Sequence, residues 1–404
     1  MLSVEAACAR ILAALSPLAA ETIPVAESLG RVLAEDLTAR VTQPPAAVSA
    51  MDGYAVRGSD VVAASVTLRQ IGAVPAGTAL PGQVGTGECV RIFTGAPLPA
   101  GADTIVIQEN VSASGDAITI NEATPRGRYV RPAGLDFRAG DVGLVAGDVI
   151  TVRRLALAAA MNRPWLRVAR RPRVAILATG DEIVMPGDPI GPSQIVSSNG
   201  LALAAFVHAW GGEPIQLGIA PDRAEALQAM ASGARGADLL VTTGGASVGE
   251  HDLVRSALGA RGLDLDFWQI AMRPGKPLMF GRIDDTPLLG LPGNPVSSLV
   301  CSLIFLRPAL LRLLGARDLS ERRMPAIAGC DLQANDRRQD YLRASLSRGA
   351  SQQLVATPFA KQDSSMLSLL ARADALVVRP PEATALKAGD QVEIICLSEA
   401  LSSV

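Results

Sequence analysis

The chain has 404 residues, 49% hydrophobic and 19% charged, a composition that supplies several buried cores and excludes a disordered or fibrous protein. With 37 basic and 39 acidic side chains the net charge is -2, and aromatics make up only 3%, so neither a phosphate-gripping surface nor a base-stacking platform is expected and nucleic acid is not an expected partner. Cys8, Cys89, Cys301, Cys330 and Cys396 stand far apart with no C-x-x-C pair, which argues against a disulfide framework or a zinc knuckle and fits a reducing cytoplasm.

The first residues, MLSVEAACARILAALSPLAA, carry Glu5 and Arg10 where a signal peptide needs a basic head and an unbroken apolar run. Their apolar positions recur at helical spacing instead. Residues 46–140 are rich in Gly, Pro, Val and Thr, with short pieces such as CVRIFTG, DTIVIQENV and DAITI, and read as an all-β module. Residues 173–320 then alternate strand and helix: RVAILATG, SSNGLALAAFVHAWGG, PIQLGIA, DRAEALQAMASGA with Asp222 as its cap, ADLLVTTGG, DLVRSALGAR and TPLLGLPG. Such a rhythm predicts a doubly wound sheet with helices on both faces. A last helix follows, with Asn294 placed to cap it, Pro295 in its first turn and an apolar stripe through Val296, Leu299, Val300, Leu303 and Ile304. Arg307 and Pro308 are expected to cut this apolar segment before it could span a bilayer, so no membrane association is expected. Residues 321–404 return to short strands, AIAGCDL, YLRASLS, LVATPFA, ALVVRP and QVEIICL, and predict a small C-terminal β-barrel or sandwich.

The stretch VTTGGASVGEHD, residues 241–252, raises the question of chemistry. Its G-x-S-x-G matches a nucleophile elbow, but the chain has two His, one before Ser247 and one in the same turn, and neither is placed to complete a triad. No Lys-Ser/Thr follows Gly249, so it is not a Walker A loop either. A glycine turn between a strand end and a helix start offers backbone N–H groups to an anion; the plain alternative is a tight turn with Asp252 as helix cap. TGDEIVMPG and LPGNPVSS also follow strands of the same sheet, so polar loops should gather at one sheet edge, where doubly wound folds bind ligands. Lys276 lies in a Pro-Gly-Lys-Pro turn of a chain that otherwise uses Arg almost throughout, which reads either as a compact ammonium kept for a purpose or as a solvated surface Lys.

In their order, SAMDGYAVR, FTGAPLPAGADTIV, the R-x-x-G-x-D of residues 131–136, TGDEIV, SSNG, TTGGASVGEHD, RPGKP and LPGNPVSS resemble the molybdopterin molybdenumtransferases, the MoeA family that includes the gephyrin E domain. The resemblance covers essentially the whole chain. It implies an elongated homodimer of four-domain chains, residues 1–45 with 141–172 forming an N-terminal linking domain, 46–140 the β-rich second domain, 173–320 the molybdopterin-binding domain and 321–404 the C-terminal barrel. It also implies a Mg²⁺-assisted reaction in which adenylylated molybdopterin and molybdate enter and molybdenum cofactor and AMP leave.

Carried onto this sequence, the resemblance makes Asp52, Asp136, Glu182 and Asp252 catalytic, with Glu182 and Asp252 as Mg²⁺ ligands. Substrate binding falls to Thr94, Arg131, Thr179, Gly180, Asp222, Gly244, Gly245, Ser247, Arg273, Lys276, Pro292, Asn294, Pro295 and Ser364. The residue chemistry agrees: acids recur loop after loop, as Mg²⁺ bridging carboxylates to phosphates requires, and Arg131, Arg273 and Lys276 can offset clustered anions. The chain departs from the family at Gln269 and Arg273, where Lys is more frequent, and at Asp363, usually Gly. A molybdopterin adenylyltransferase, normally a shorter chain without the Asp52 module, and a gephyrin-like binding scaffold are the competing readings. A molybdopterin adenylyltransferase, and the molybdoenzymes or chaperones that receive the cofactor, are the protein partners such a role calls for.

Overall fold

A computed structural model describes residues 1–244, 257–259, 263–349 and 351–397. It divides into two compact units, one of Met1–Glu35, Ala146–Leu155 and Trp165–Val404, the other of Asp36–Val145 and Ala156–Pro164.

The N-terminal helical spacing forms helix α1, Val4–Ala13, whose first turn is capped by Ser3 accepting from the Ala6 N–H at 3.1 Å. Its buried face, Val4, Ala7 and Ile11, belongs to the largest core of its unit. The second unit holds the β-rich module: β1 Gly53–Val56, β2 Val66–Val74, β3 Glu88–Ile92, β4 Thr104–Ile107, β5 Val111–Ser114 and β6 Ala117–Ile120. Among the described residues they form one sheet in the order β4-β1-β3-β2-β6-β5. Gly53 opens β1 because a Cβ there would lie 2.0 Å from the Val106 carbonyl oxygen across the sheet.

Back in the first unit, β7 Arg173–Thr179, β8 Glu213–Ala220, β9 Leu239–Thr243, β10 Asp264–Phe267, β11 Met279–Ile283 and β12 Thr286–Leu291 form a sheet in the order β8-β7-β9-β12-β11-β10. The first four of these run parallel. The sheet is covered on both sides, and the two-residue period of a strand decides what goes where. Val174, Ile176, Leu239, Val241, Leu289 and Leu291 pack with α1, helix α2 Asn199–Ala209 and the long helix Pro295–Leu313. Ala175, Leu177, Leu240 and Leu288 pack on the opposite side with Leu227 and Ala231 of helix α3, Ala224–Ala231, and with Ala257 and Leu258.

Several local expectations are corrected here. The cap of α3 is Arg223, without a side-chain hydrogen bond, and Asp222 lies before it with its own N–H donated to Asp181 Oδ1 at 3.0 Å. Antiparallel strands β10 and β11 extend the parallel sheet, so the doubly wound sheet is mixed. Arg307 and Pro308 do not interrupt the last helix. Pro308 lacks the N–H that an α-turn would use, and a π-helical turn at Ser302–Leu306 precedes it, after which Arg307–Leu313 resumes the α-helix. Pro295–Leu313 is long and apolar enough to cross a bilayer, yet 78% of it is buried inside the protein, which makes it a core helix.

The C-terminal strands β13 Arg323–Ala328, β14 Gln339–Arg348, β15 Leu354–Pro358, β16 Ala375–Arg379 and β17 Gln391–Cys396 pair in the order β14-β15-β13-β17-β16, and β16 returns to β14. That last pairing closes the predicted barrel. Met272–Arg273 adds to its edge beside Gln339 and Asp340, so the segment that carries Lys276 joins the barrel to the doubly wound sheet.

Candidate active site

The parallel strands β7, β9 and β12 end at one sheet edge, Ala178 opposite Thr243 and Thr243 opposite Leu291. Their following loops can approach only because glycines stand at the contact. Gly244 has φ +93, and a Cβ on it would lie 2.4 Å from the Thr179 carbonyl oxygen and 2.9 Å from the Thr179 hydroxyl; a Cβ on Gly293 would sit 3.4 Å from Gly244 Cα. The loops enclose a cavity of about 520 Å³ lined by Thr179, Glu182, Asn199, Thr243, Gly244 and Asn294 among others. Thr179 is 4% exposed, and its buried hydroxyl has no hydrogen-bond partner among the described residues.

Glu182 stands at the mouth of this cavity, exposed. Gly180 has φ +138, and a Cβ there would fall 2.5 to 2.9 Å from the Glu182 carboxyl group. The glycine therefore permits both the turn and the position of the carboxylate above it. Asp222 belongs to the neighbouring turn through its bond to Asp181. Pro292 accepts from the Thr243 hydroxyl at 3.2 Å, and Pro295 starts the long helix as its N1 residue. Asn294 occupies the cap position but does not cap with its side chain; its Nδ2 donates to Ser364 Oγ at 2.8 Å, while the Val296 N–H donates to the Ser364 carbonyl at 3.1 Å. Ser364, from the C-terminal region, is thus brought to Asn294 at the cavity rim. Asp363, the departure beside it, folds into a local turn by accepting from the N–H and hydroxyl of Ser365 at 2.8 and 2.6 Å. Beneath, Arg343, 1% exposed, donates to Gln362 Oε1 and to the Met366 carbonyl and so pins the loop from both ends.

Arg273 and Lys276 are not among the residues lining the cavity. Arg273 pairs with the buried carboxylate of Asp340, and its other nitrogen lies 3.7 Å from Asp336. Burial pushes Asp340 up, against the lowering effect of the Arg273 hydrogen bond, and Arg338 holds Asp336 at about 2. Lys276 is half-buried, its carbonyl accepting from the Ile270 and Leu278 N–H groups, and the Gln269 carbonyl accepts from Leu2. Gly245, Ser247 and Asp252 lie outside the described residues.

In the other unit, Asp52 Oδ1 accepts the Thr94 N–H at 2.7 Å and the Thr94 hydroxyl at 2.9 Å. The backbone bond first, then the hydroxyl, hold the Asp52 carboxyl below its usual range; slight desolvation opposes them and Arg91 adds to them. Arg91 is itself fixed between the rings of Tyr54 and Phe93, 5.1 Å from each centroid. Val48–Ser49 pairs with Val130–Arg131, and the Asp136 N–H donates to the Gln43 carbonyl at 3.0 Å. Arg131 and Asp136 are both exposed on this loop.

Thr94→Val keeps the backbone donor and removes the hydroxyl, so the Asp52 pKa should rise part of the way back toward the ordinary carboxylate range. Its depressed folded pKa contributes stability that is present above the unfolded pKa and lost as the pH falls through the folded one. Carboxyl NMR titration of the two proteins reads the shift; an identical Asp52 titration in both would contradict the assignment.

Arg91, Asn199 and Arg343 are the participants that sequence reasoning missed. Only Asn199 had a signal, its place in SSNG.

Glycine loops around a cavity at the carboxyl edge of a doubly wound sheet, a β-rich unit and a closed barrel define a multidomain α/β protein with a candidate ligand site at the sheet edge. Residues 2–162 match the MoeA N-terminal region, domains I and II, residues 175–312 the probable molybdopterin binding domain, and residues 325–397 the MoeA C-terminal region, domain IV. The chain belongs to the MoeA family. It is similar to molybdopterin molybdenumtransferase 2 of Mycobacterium tuberculosis, 35% identical over 383 residues that cover 92% of this chain and 94% of that protein. The molybdopterin molybdenumtransferase of Haemophilus influenzae is 33% identical over 398 residues, 98% of each chain. A crystal structure of the molybdopterin biosynthesis MoeA protein from Pyrococcus horikosii superposes with a TM-score of 0.82 at 32% identity, covering 99% of this chain and all of that one.

Proposed function

We propose that this chain is a molybdopterin molybdenumtransferase that inserts molybdenum from molybdate into adenylylated molybdopterin and releases AMP. The end-to-end likeness to curated enzymes of that name supports it, and the observation that carries it is the cavity itself: Thr179, whose hydroxyl has no partner among the described residues, a glycine turn at Gly244 and the carboxylate of Glu182 around one space. A molybdopterin adenylyltransferase is not favoured, because the MoeA N-terminal and C-terminal regions match as well as the middle one. A binding scaffold is not favoured either, since it gives no reason for that constellation.

The substrates are anions, and the task of the site is to hold them together. Thr179 donates its hydroxyl proton to a bound oxygen, and Asn294 and Ser364 close the rim. The donor set suits Mg²⁺: an exposed carboxylate at Glu182 and hydroxyls around it, with no His or Cys among the described residues of the lining. Among the described residues Glu182 would hold the ion, with Asp252 proposed as the second ligand. Bound there, Mg²⁺ would supply positive charge to offset developing charge on phosphate oxygen. AMP release followed with and without molybdate tests the activity, and its dependence on added Mg²⁺ after chelation tests the metal.

The proposed assembly is a homodimer in the cytoplasm, where five free thiols are at home. In it the Asp52, Arg131 and Asp136 group of one copy serves the Glu182 group of the other. Asp52→Ala and Glu182→Ala are then each nearly inactive, but unfolding and refolding them together should restore about a quarter of the sites, since random pairing makes about half the dimers mixed, each with one intact site. Mixed dimers verified by mass that stay inactive would contradict this sharing. A molybdopterin adenylyltransferase supplying the substrate, and a molybdoenzyme or its chaperone taking the product, are the proposed protein partners.

A further inference from the structure

Asn199 is the first residue of helix α2, and its amide ties two loops of the cavity together. Nδ2 lies 2.7 Å from the Gly293 carbonyl oxygen and 2.8 Å from Thr243 Oγ1, while Thr243 Oγ1 lies 3.2 Å from the Pro292 carbonyl oxygen. Two carbonyls, which can only accept, end this network, so its polarity is determined: Thr243 donates to Pro292 and must accept from Asn199, and the reversed amide would set Oδ1 against the Gly293 oxygen. Both amide hydrogens are therefore committed to the protein. Oδ1 remains, an acceptor on a side chain that lines the cavity, and no donor reaches it among the described residues.

We propose that Asn199 is a specificity-determining residue that locks the turn at Pro292 and Gly293 against the end of β9 and offers Oδ1 to the ligand, so the ligand presents an N–H or O–H donor there. On the proposed function, on which this inference rests, that donor is assigned to the pterin ring: phosphate and molybdate oxygens would be repelled by Oδ1, and weakened binding of molybdopterin without its adenylyl group separates the pterin from the adenine and ribose donors. Asn199 then discriminates for the heterocycle.

Steady-state kinetics of Asn199→Ala with both substrates varied tests this. The KM for adenylylated molybdopterin should rise about tenfold or more with kcat within about threefold and the KM for molybdate within about twofold of the parent, the pattern of a lost binding contact to one substrate. Thr243→Val keeps the acceptor and removes one leg of the lock, so its pterin KM should rise about threefold, which also covers the case of an Ala variant that fails to fold. A rise in the molybdate KM with the pterin KM unchanged, or no change in either, overturns the proposal. Two measurements separate its failure from failure of the proposed activity. Hydrogen exchange of the unliganded protein should quicken at residues 292–294 in Asn199→Ala whatever the enzyme turns over. Direct binding of molybdopterin should weaken by about the same tenfold even if the parent releases no AMP; unchanged exchange or unchanged binding counts against Asn199.

Discussion

Glu182→Gln is expected to lower molybdate-dependent turnover by about a hundredfold or more while shifting the melting temperature by less than about 2 °C. The side chain is exposed, and no side-chain hydrogen bond or ion pair holds it among the described residues, so stability has little stake in its charge. Gln keeps the length and shape and still fits over Gly180. What it loses is the negative oxygen that a cation or a protonated ligand group would meet, and that loss is felt only in the reaction. Parallel melting curves and kinetics of the two proteins read both quantities, and near-parental turnover would make Glu182 a solvated surface acid.

Gly244→Ala should be the most damaging single methyl in the cavity, for two separable reasons. A residue with a Cβ at φ +93 pays a backbone penalty of about 1 kcal/mol or more. The methyl would also meet the Thr179 carbonyl at 2.4 Å, backbone against backbone, where no side-chain rotation gives relief. Together these should cost about 3 kcal/mol or more. Gly187 is the control: its φ is +96, yet a Cβ there has nothing within 4 Å, so Gly187→Ala carries the first cost without the second. Thermal unfolding of both variants should separate them by several degrees. Equal melting temperatures would mean that the Thr179 and Gly244 loops do not approach as described.

Much of this architecture was legible because its signals are local. The run RVAILAT is buried on both faces and alternates between two cores, and the strand-helix rhythm around it reflects that burial. Pro295 at the helix start and the short strands of the closed barrel were equally readable. The antiparallel strands β10 and β11 were not, because Gly281 in MFGRI reads as part of the preceding Pro-Gly turn. Its glycine is there for a pairing partner, since a Cβ would lie 2.4 Å from the Asp264 carbonyl oxygen.

Site residues divide in the same way. Glu182 and Gly244 follow strand ends and could be placed by topology alone. Asn294 and Asp222 read as caps, the local option for their residue types, whereas their bonds go to Ser364 and Asp181, 70 and 41 residues distant. The partner of Arg273 is equally remote from it in sequence: Asp340, 67 residues on, pairs with its guanidinium. Asn199 reads as an ordinary helix opening until Gly293, 94 residues later, turns out to be its acceptor. Partners this distant leave no periodicity or spacing in the sequence.

The most direct test of the account is AMP release by the purified protein supplied with adenylylated molybdopterin and Mg²⁺, measured with and without molybdate. Release that depends on molybdate, accompanied by cofactor able to activate a molybdenum-free apoenzyme, is the predicted result. AMP release at the same rate without molybdate, with no active cofactor formed, would contradict it and leave a hydrolase in place of a molybdenum transferase.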